Sequence, residues 1–213
     1  MYELAPRIVN VVSTAELCSN VQRPINLRLL INTSDDLIIK YQPERFIAAI
    51  LKQKDDSSST CLLFDSGKIV CVGSPSIEKS REAATFFIRK IYFMLLMESP
   101  ISLSLESRIS LPLESLEEQK PSMENFQVRN IVVAASLGQK INLIEFEKST
   151  TIPKEVMFVP ELFPGLKWRP YSSKKITIIL FESGKMNITG IRSIDQIEST
   201  YEFARRRLLK FKK

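Results

Sequence analysis

The sequence predicts an α+β fold made by tandem duplication of one unit, and three observations point there. First, motifs recur in the same order at nearly one offset. Asn10-Val11-Val12 returns as Asn130-Ile131-Val132, 120 residues on, and Pro43-Glu44-Arg45-Phe46 returns as Pro160-Glu161-Leu162-Phe163, 117 on. Phe64–Gly73 returns as Phe181–Gly190, again 117 on, so the two phenylalanines lie 18 apart in both copies. Second, β-branched runs bounded by turn residues fill the middle of each copy. Third, each copy closes with apolar residues at helical spacing. The repeated unit is about 90 residues long.

Taken in order, Ile8–Thr14 and Val128–Ala134 are rich in valine and isoleucine and read as strands. Short helical stretches follow around Pro24–Ile31 and Gln139–Phe146. The first copy then offers strands near Leu37–Tyr41, Phe46–Lys52, Thr60–Asp65 and Lys68–Gly73; the second offers Lys175–Glu182 and Lys185–Gly190. Ser66-Gly67 and Ser183-Gly184 stand where two-residue hairpin turns belong. In the first closing helix Ser74 is placed to cap and Pro75 suits the first helical position, with Ile77, Ala84, Ile88, Ile91 and Leu95 on one face. In the second, Ser193 and Gln196 have capping-box spacing. Ile194, Ile197, Tyr201, Ala204, Leu208 and Phe211 form its apolar stripe.

The stretch Glu98–Asn125 holds Pro100, Pro112 and Pro121, many serines, and Glu114, Glu117 and Glu118, and reads as a linker. The expected organisation is therefore repeat 1 over residues 1–97, linker over 98–125, and repeat 2 over 126–213. Lys54–Ser59 reads as a polar hairpin loop.

Composition narrows the chemistry. The 213 residues carry 30 Lys+Arg against 24 Asp+Glu, a net charge of +6, which permits a nucleic-acid partner without requiring one. There is no histidine, which removes Ser-His and Cys-His catalysis and the common zinc enzymes. Cys18, Cys61 and Cys71 have no CxxC spacing, so neither a structural metal site nor a disulfide framework is expected. They read as reduced, mostly buried residues of an intracellular protein. The longest apolar run, Ile91–Met97, is far short of the roughly 20 residues that span a bilayer, and Pro6 and Arg7 interrupt the place of a signal peptide. No paired-carboxylate motif falls inside the repeat, and an enzyme is not expected.

Strand alternation then exposes an imbalance. Leu62, Phe64, Val70 and Val72 share one face of the first copy, and Leu63, Ile69 and Cys71 share the other, so both faces are apolar. Helices on one side leave the other face to be covered by something else. Parity alone leaves open whether that cover is a partner or the second copy, packed face to face as a sandwich.

The run Pro160-Glu161-Leu162-Phe163-Pro164-Gly165-Leu166, the paired Phe-x-Ser-Gly-Lys hairpins, the Asn-x-Val openings and the segment Asn10–Thr14 together resemble the TATA-box-binding protein family. The likeness covers nearly the whole chain apart from Glu98–Asn125, which is longer than the family's usual connection. The resemblance implies a pseudo-symmetric saddle: one curved antiparallel sheet of about ten strands under four helices on its convex side, with the underside seated on the DNA minor groove. This family is itself the type example of wedge-kinked DNA, so the kink is carried by the resemblance alone.

The implied roles fall on named positions. Phe46 and Phe64 would form one intercalating wedge, and Phe163 and Phe181 the other. Asn10 and Asn130 would reach base acceptors near the centre; Val12, Leu62, Val70, Val72, Val132, Ile179, Asn187 and Thr189 would line the floor. An apolar floor disfavours guanine, whose minor-groove amino group would lose water without gaining a partner. Arg45, Lys68, Arg169 and Lys185 would contact phosphates, giving affinity with little sequence information. Glu161 and Leu162 would meet a IIB-type factor. Arg205, Arg206 and Arg207 would meet IIA-type factors, TBP-associated factors or acidic regulators.

Four positions depart from the family pattern: Val72 replaces a threonine, Asn187 a valine, Ile47 a small residue, and Val159 a glutamate. The implied function is a general transcription initiation factor that binds and bends A/T-rich promoter DNA and nucleates preinitiation complex assembly. It would need no cofactor, small-molecule substrate or membrane, and would act in the nucleus or, if virus-encoded, at the site of viral transcription. The alternative is a TBP-like interaction scaffold with weakened or altered DNA specificity.

Overall fold

The computed structural model describes residues 4–17, 23–31, 36–54, 59–98, 121–150, 155–170 and 175–213. Its strands are β1 (Leu4–Leu17), β2 (Leu37–Gln42), β3 (Phe46–Gln53), β4 (Thr60–Leu63), β5 (Lys68–Ser74), β6 (Met123–Ser136), β7 (Val156–Met157), β8 (Leu166–Trp168), β9 (Thr177–Leu180) and β10 (Lys185–Ile191). All ten belong to one sheet, in the order β2-β3-β4-β5-β1-β6-β10-β9-β8-β7. The order is a palindrome of the two copies, with the long strands β1 and β6 side by side in the middle. A sandwich would need two sheets, so that alternative is set aside.

The α-helices among the described residues are α1 (Ile77–Glu98), α2 (Leu143–Ser149) and α3 (Asp195–Leu208). These are three where the resemblance implied four. In the first copy the expected helix at Pro24–Ile31 is a single 3-10 turn, Leu27–Leu30. Most of the expected linker, residues 99–120, and the tip of the Lys54–Ser59 loop lie outside the described residues, as does Cys18. The last residues of that linker, from Met123, already belong to β6.

The chain falls into two compact units, Val12–Gln127 and Met1–Val11 with Val128–Lys213. In the first, Cys61 pairs with Cys71, Leu62 with Val70 and Leu63 with Ile69 across β4 and β5. The Cys61, Leu63, Ile69 and Cys71 face is buried with Ala84, Phe87, Ile88 and Ile91 of α1 and with Leu27 and Leu30 of the 3-10 turn. Burial pushes the Cys61 thiol up from its ordinary value, so it serves as a neutral packing group. The buried hydroxyls of Ser13 and Ser80, 2.8 Å apart, tie α1 to β1.

In the second unit, Trp168 pairs with Ile178 and is buried against Phe146 of α2, with ring centroids 5.1 Å apart. Phe203 of α3 stacks on the same indole at 5.6 Å. Tyr201, Ala204 and Leu208 of the predicted α3 stripe are buried, whereas Ile194 at its start is exposed. In each unit, then, the helices cover one face of the strands and leave the other open.

Local chemistry corrects three turn and cap assignments. The Ser-Gly hairpins are three-residue loops, Asp65–Gly67 and Glu182–Gly184. Phe64 N–H donates to Lys68 O at 2.9 Å and Gly67 N–H to Phe64 O at 2.9 Å; Phe181, Lys185 and Gly184 repeat this at 2.9 and 2.8 Å. The glycines take φ of 82° and 79°, which a three-residue hairpin requires at its last position. Both loops are clamped alike: Leu17 N–H donates to Gly67 O and Ile25 N–H to Asp65 O, while Leu137 and Ile141 do the same to Gly184 and Glu182. The cap of α1 is Ser76, whose Oγ accepts from Lys79 N–H at 3.1 Å. Ser74 ends β5 and its buried hydroxyl meets that of Ser59 at 2.9 Å. At α3 the Gln196 side chain accepts from Arg192 N–H, one residue before Ser193, at 3.0 Å.

Candidate nucleic-acid interface

The open face of the Val12–Gln127 unit is built by the strand positions that alternate away from α1. Val12, Leu62, Val70 and Val72 lie half-buried there, with Leu62 opposite Val70 and Ile50 opposite Leu62. At its outer end Phe46 is 42% exposed, Ile47 is 70% exposed, and Phe64, at the mouth of the hairpin loop, is half-buried. Among the described residues no helix of the unit covers these rings. An aliphatic floor that ends in accessible aromatic rings is unusual surface for a protein to leave in water.

The second unit repeats the arrangement with more polar chemistry. Asn10, Asn130, Val132, Ile179 and Thr189 are half-buried, and Asn187 is exposed. Phe163, 47% exposed, meets Phe181 edge to face, with centroids 5.9 Å apart and planes at 66°. Gly165 sets that pair. A Cβ at Gly165 would stand 2.5 Å from the Phe163 ring and 2.9 Å from Ile179, so the ring rests on the space a side chain would fill.

Asn130 is held with its amide oriented. Gly190 N–H donates to Oδ1 at 2.7 Å, and the Thr189 hydroxyl lies 3.0 Å from Nδ2 and 3.2 Å from Oδ1. A backbone N–H only donates, so the oxygen must face Gly190. Nδ2 is thereby fixed as the atom away from Gly190, with a second hydrogen that the Thr189 contact does not use. At the position equivalent to Thr189 the first copy carries Val72, which has no hydroxyl to offer.

Arg45, Lys68, Arg169 and Lys185 are all exposed. They are not equivalent. Lys68 Nζ lies 3.6 Å from the Glu16 carboxylate, which also accepts from Asn125 Nδ2 at 3.1 Å. Glu16 shares the strand parity of Val12 and Thr14, so alternation along β1 could have flagged it. Gly165, which stands inside the motif that carried the resemblance, went unassigned as a site residue because a glycine has no side chain to assign.

The positions expected to meet other proteins lie elsewhere. Glu161 is exposed and Leu162 is 85% exposed on the loop between β7 and β8. Leu162 and Phe163 N–H both donate to Val159 O at 3.0 Å, which shapes that loop. On α3, Glu202 lies 4.0 Å from Arg205 and 3.9 Å from Arg206; Arg206 and Arg207 are exposed. Because α3 packs on the face away from Asn187 and Thr189, these arginines and that open face are on opposite sides of the unit. Among the described residues no group of three or more acidic or cysteine side chains is placed to hold a metal ion, and no helix is long and apolar enough to cross a membrane.

Comparison with known proteins agrees with this geometry. The sequence profile described as transcription factor TFIID (or TATA-binding protein, TBP) matches residues 5–94 and 125–211. The chain is 30% identical to TATA-box-binding protein 2 of Entamoeba histolytica over 92% of its own length and 77% of that protein's. It is 29% identical to the TATA-box-binding protein of Tetrahymena thermophila, covering 94% of this chain and 68% of the other. For the protein of the same name from Methanosphaera stadtmanae the identity is also 29%, covering 92% and 89%. The solved structure of Methanococcus jannaschii TBP, 22% identical, superposes with a TM-score of 0.68 over 97% of this chain and 99% of that one, which establishes the fold. Duplicated sequence, single ten-stranded sheet and matching profile in both copies place the chain in the TATA-box-binding protein family.

Proposed function

We propose that this protein is a transcription initiation factor that binds A/T-rich promoter DNA in the minor groove through the open face of its sheet. The observation that carries the reading is an open strand face in each unit, aliphatic in the first and mixed aliphatic and amide in the second, that ends in accessible phenylalanines. Such a face suits the minor groove of A·T pairs, which shows acceptors and no amino group. The oriented Nδ2 of Asn130 supplies a donor to those acceptors. The phenylalanines at the outer ends would enter a base step and replace lost stacking, bending the duplex. Arg45, Lys68, Arg169 and Lys185 provide the phosphate attraction.

The family is one of transcription factors, and none of these steps needs catalysis or a cofactor. The action proposed is nucleation of a preinitiation complex in the nucleus. Leu162 and Glu161 would face a IIB-type factor, and the basic side of α3 would face IIA-type factors or TBP-associated factors. A second reading, an interaction scaffold with weakened or altered DNA specificity, is favoured by Val72 and Asn187, which remove a hydroxyl from one half of the floor and add an amide to the other. Titration of the full chain against an A/T-rich duplex and a G/C-substituted control separates the two. The initiation factor prefers the A/T-rich duplex by at least about tenfold; equal, weak binding to both supports the scaffold.

A further inference from the structure

The two halves of the open face are not chemical copies. Asn187 of β10 is flanked by Ala134 on β6 and Ile179 on β9. It is exposed, and no hydrogen bond to its side chain is formed by any of the described residues. Its cross-strand neighbours are aliphatic, so among the described residues nothing holds its amide in one orientation. The equivalent residue of the first copy is Val70, 117 positions earlier, and the next position on that face is Val72 where the second copy has Thr189. One unit therefore presents two valines where the other presents an amide and a hydroxyl.

Resting on the minor-groove reading above, we propose that Asn187 is a specificity-determining residue that lets one half of the DNA site, the half under its own unit, accept a G·C pair. The minor-groove edge of G·C differs from that of A·T by one donor, the guanine amino group. Against valine that donor loses its water and gains nothing, so G·C is disfavoured there. Against Asn187 it meets Oδ1, a good acceptor. With an A·T pair the amide turns over and Nδ2 donates to adenine N3 or thymine O2, so acceptance of G·C does not exclude A·T. Val70 permits only the second case. The protein would then accept G·C in either half of a site by choosing its orientation, but not in both halves at once.

Fluorescence anisotropy with the full chain tests this on three kinds of duplex. One is an all-A·T site, one carries a single G·C pair stepped through one half, and one carries G·C pairs in both halves. For the parent protein the ratio of Kd for the best one-half duplex to Kd for the all-A·T duplex should be near one, and the two-half duplex should bind about tenfold more weakly. In Asn187→Val the one-half ratio should rise to about ten. Val70→Asn should restore binding to the two-half duplex. Thermal melting of each variant establishes that it is folded. A one-half ratio that is the same in the parent and in Asn187→Val overturns the assignment while leaving minor-groove binding intact. No binding of the folded parent to any duplex overturns the minor-groove reading and this one with it.

Discussion

Asn130 shows how a single side chain can be held ready for the base-reading role proposed for it. Its oxygen is committed to Gly190 N–H and its nitrogen to the Thr189 hydroxyl, so the amide is already oriented, with one hydrogen on Nδ2 to spare. Asn130→Asp keeps the acceptor that Gly190 needs but removes the donor. Its melting temperature should stay near the parent's while DNA affinity falls at least about tenfold; a variant that binds A/T-rich DNA as the parent does contradicts the role. Asn130→Ala also strands the Gly190 N–H and should cost about 1–3 kcal/mol of stability, read by denaturant unfolding. Gly165 acts by absence. Gly165→Ala must push the Phe163 ring away from a point 2.5 Å from the new methyl, so it should reduce DNA bending with little change in helical content by circular dichroism. An unchanged bend would show that Phe163 does not need its seat. The asparagines and phenylalanines were legible in the sequence because they recur at fixed intervals. The orientation of the amide and the seat for the ring were not, because both depend on backbone atoms of strands far away in sequence.

At the scale of elements, the two hairpin lysines differ in their partners. Lys68 is tied to Glu16, whereas no ion pair involving Lys185 is formed among the described residues. An exposed pair of this kind contributes little to stability, yet it must loosen before Lys68 can serve a phosphate. Lys185→Gln should therefore shallow the salt dependence of DNA binding by about one unit, and Lys68→Gln by less. Glu16→Gln should strengthen binding at low salt. Equal slopes for the two lysine variants would contradict the difference assigned to Glu16. The existence of β1, β6 and α1 was legible from their long periodic runs, but their ends were not. β1 and β6 extend beyond Ile8–Thr14 and Val128–Ala134 to Leu4–Leu17 and Met123–Ser136, and the start of α1 turns on a single polar residue. Ser76 rather than Ser74 caps α1, since Ser74 stays in β5 to meet Ser59. The Ser-Gly turns gained a residue because a three-residue loop with a final left-handed glycine joins the strands without splaying them.

For the whole molecule, duplication explains both the fold and the division of labour. Each copy buries one apolar face under its own helices and leaves the other open, so the faces proposed for DNA and for protein partners would lie on opposite sides of the strands. Replacing Arg205, Arg206 and Arg207 with glutamate should thus impair capture of acidic partner factors far more than DNA affinity; a large loss of DNA binding with partner capture intact would place α3 on the wrong side. The apolar alternation was plain in the sequence, but alternation cannot say what covers a face, and only the single sheet order removed the sandwich. The most direct test of the central claim is the bend angle of an A/T-rich duplex, read by fluorescence transfer between its ends, for the parent and for Phe46→Ala with Phe64→Ala. The parent should bend the duplex sharply, and the double variant, still folded by thermal melting, should leave it much straighter. A parent that leaves the duplex straight, or a double variant that bends it to the same angle, would contradict the account.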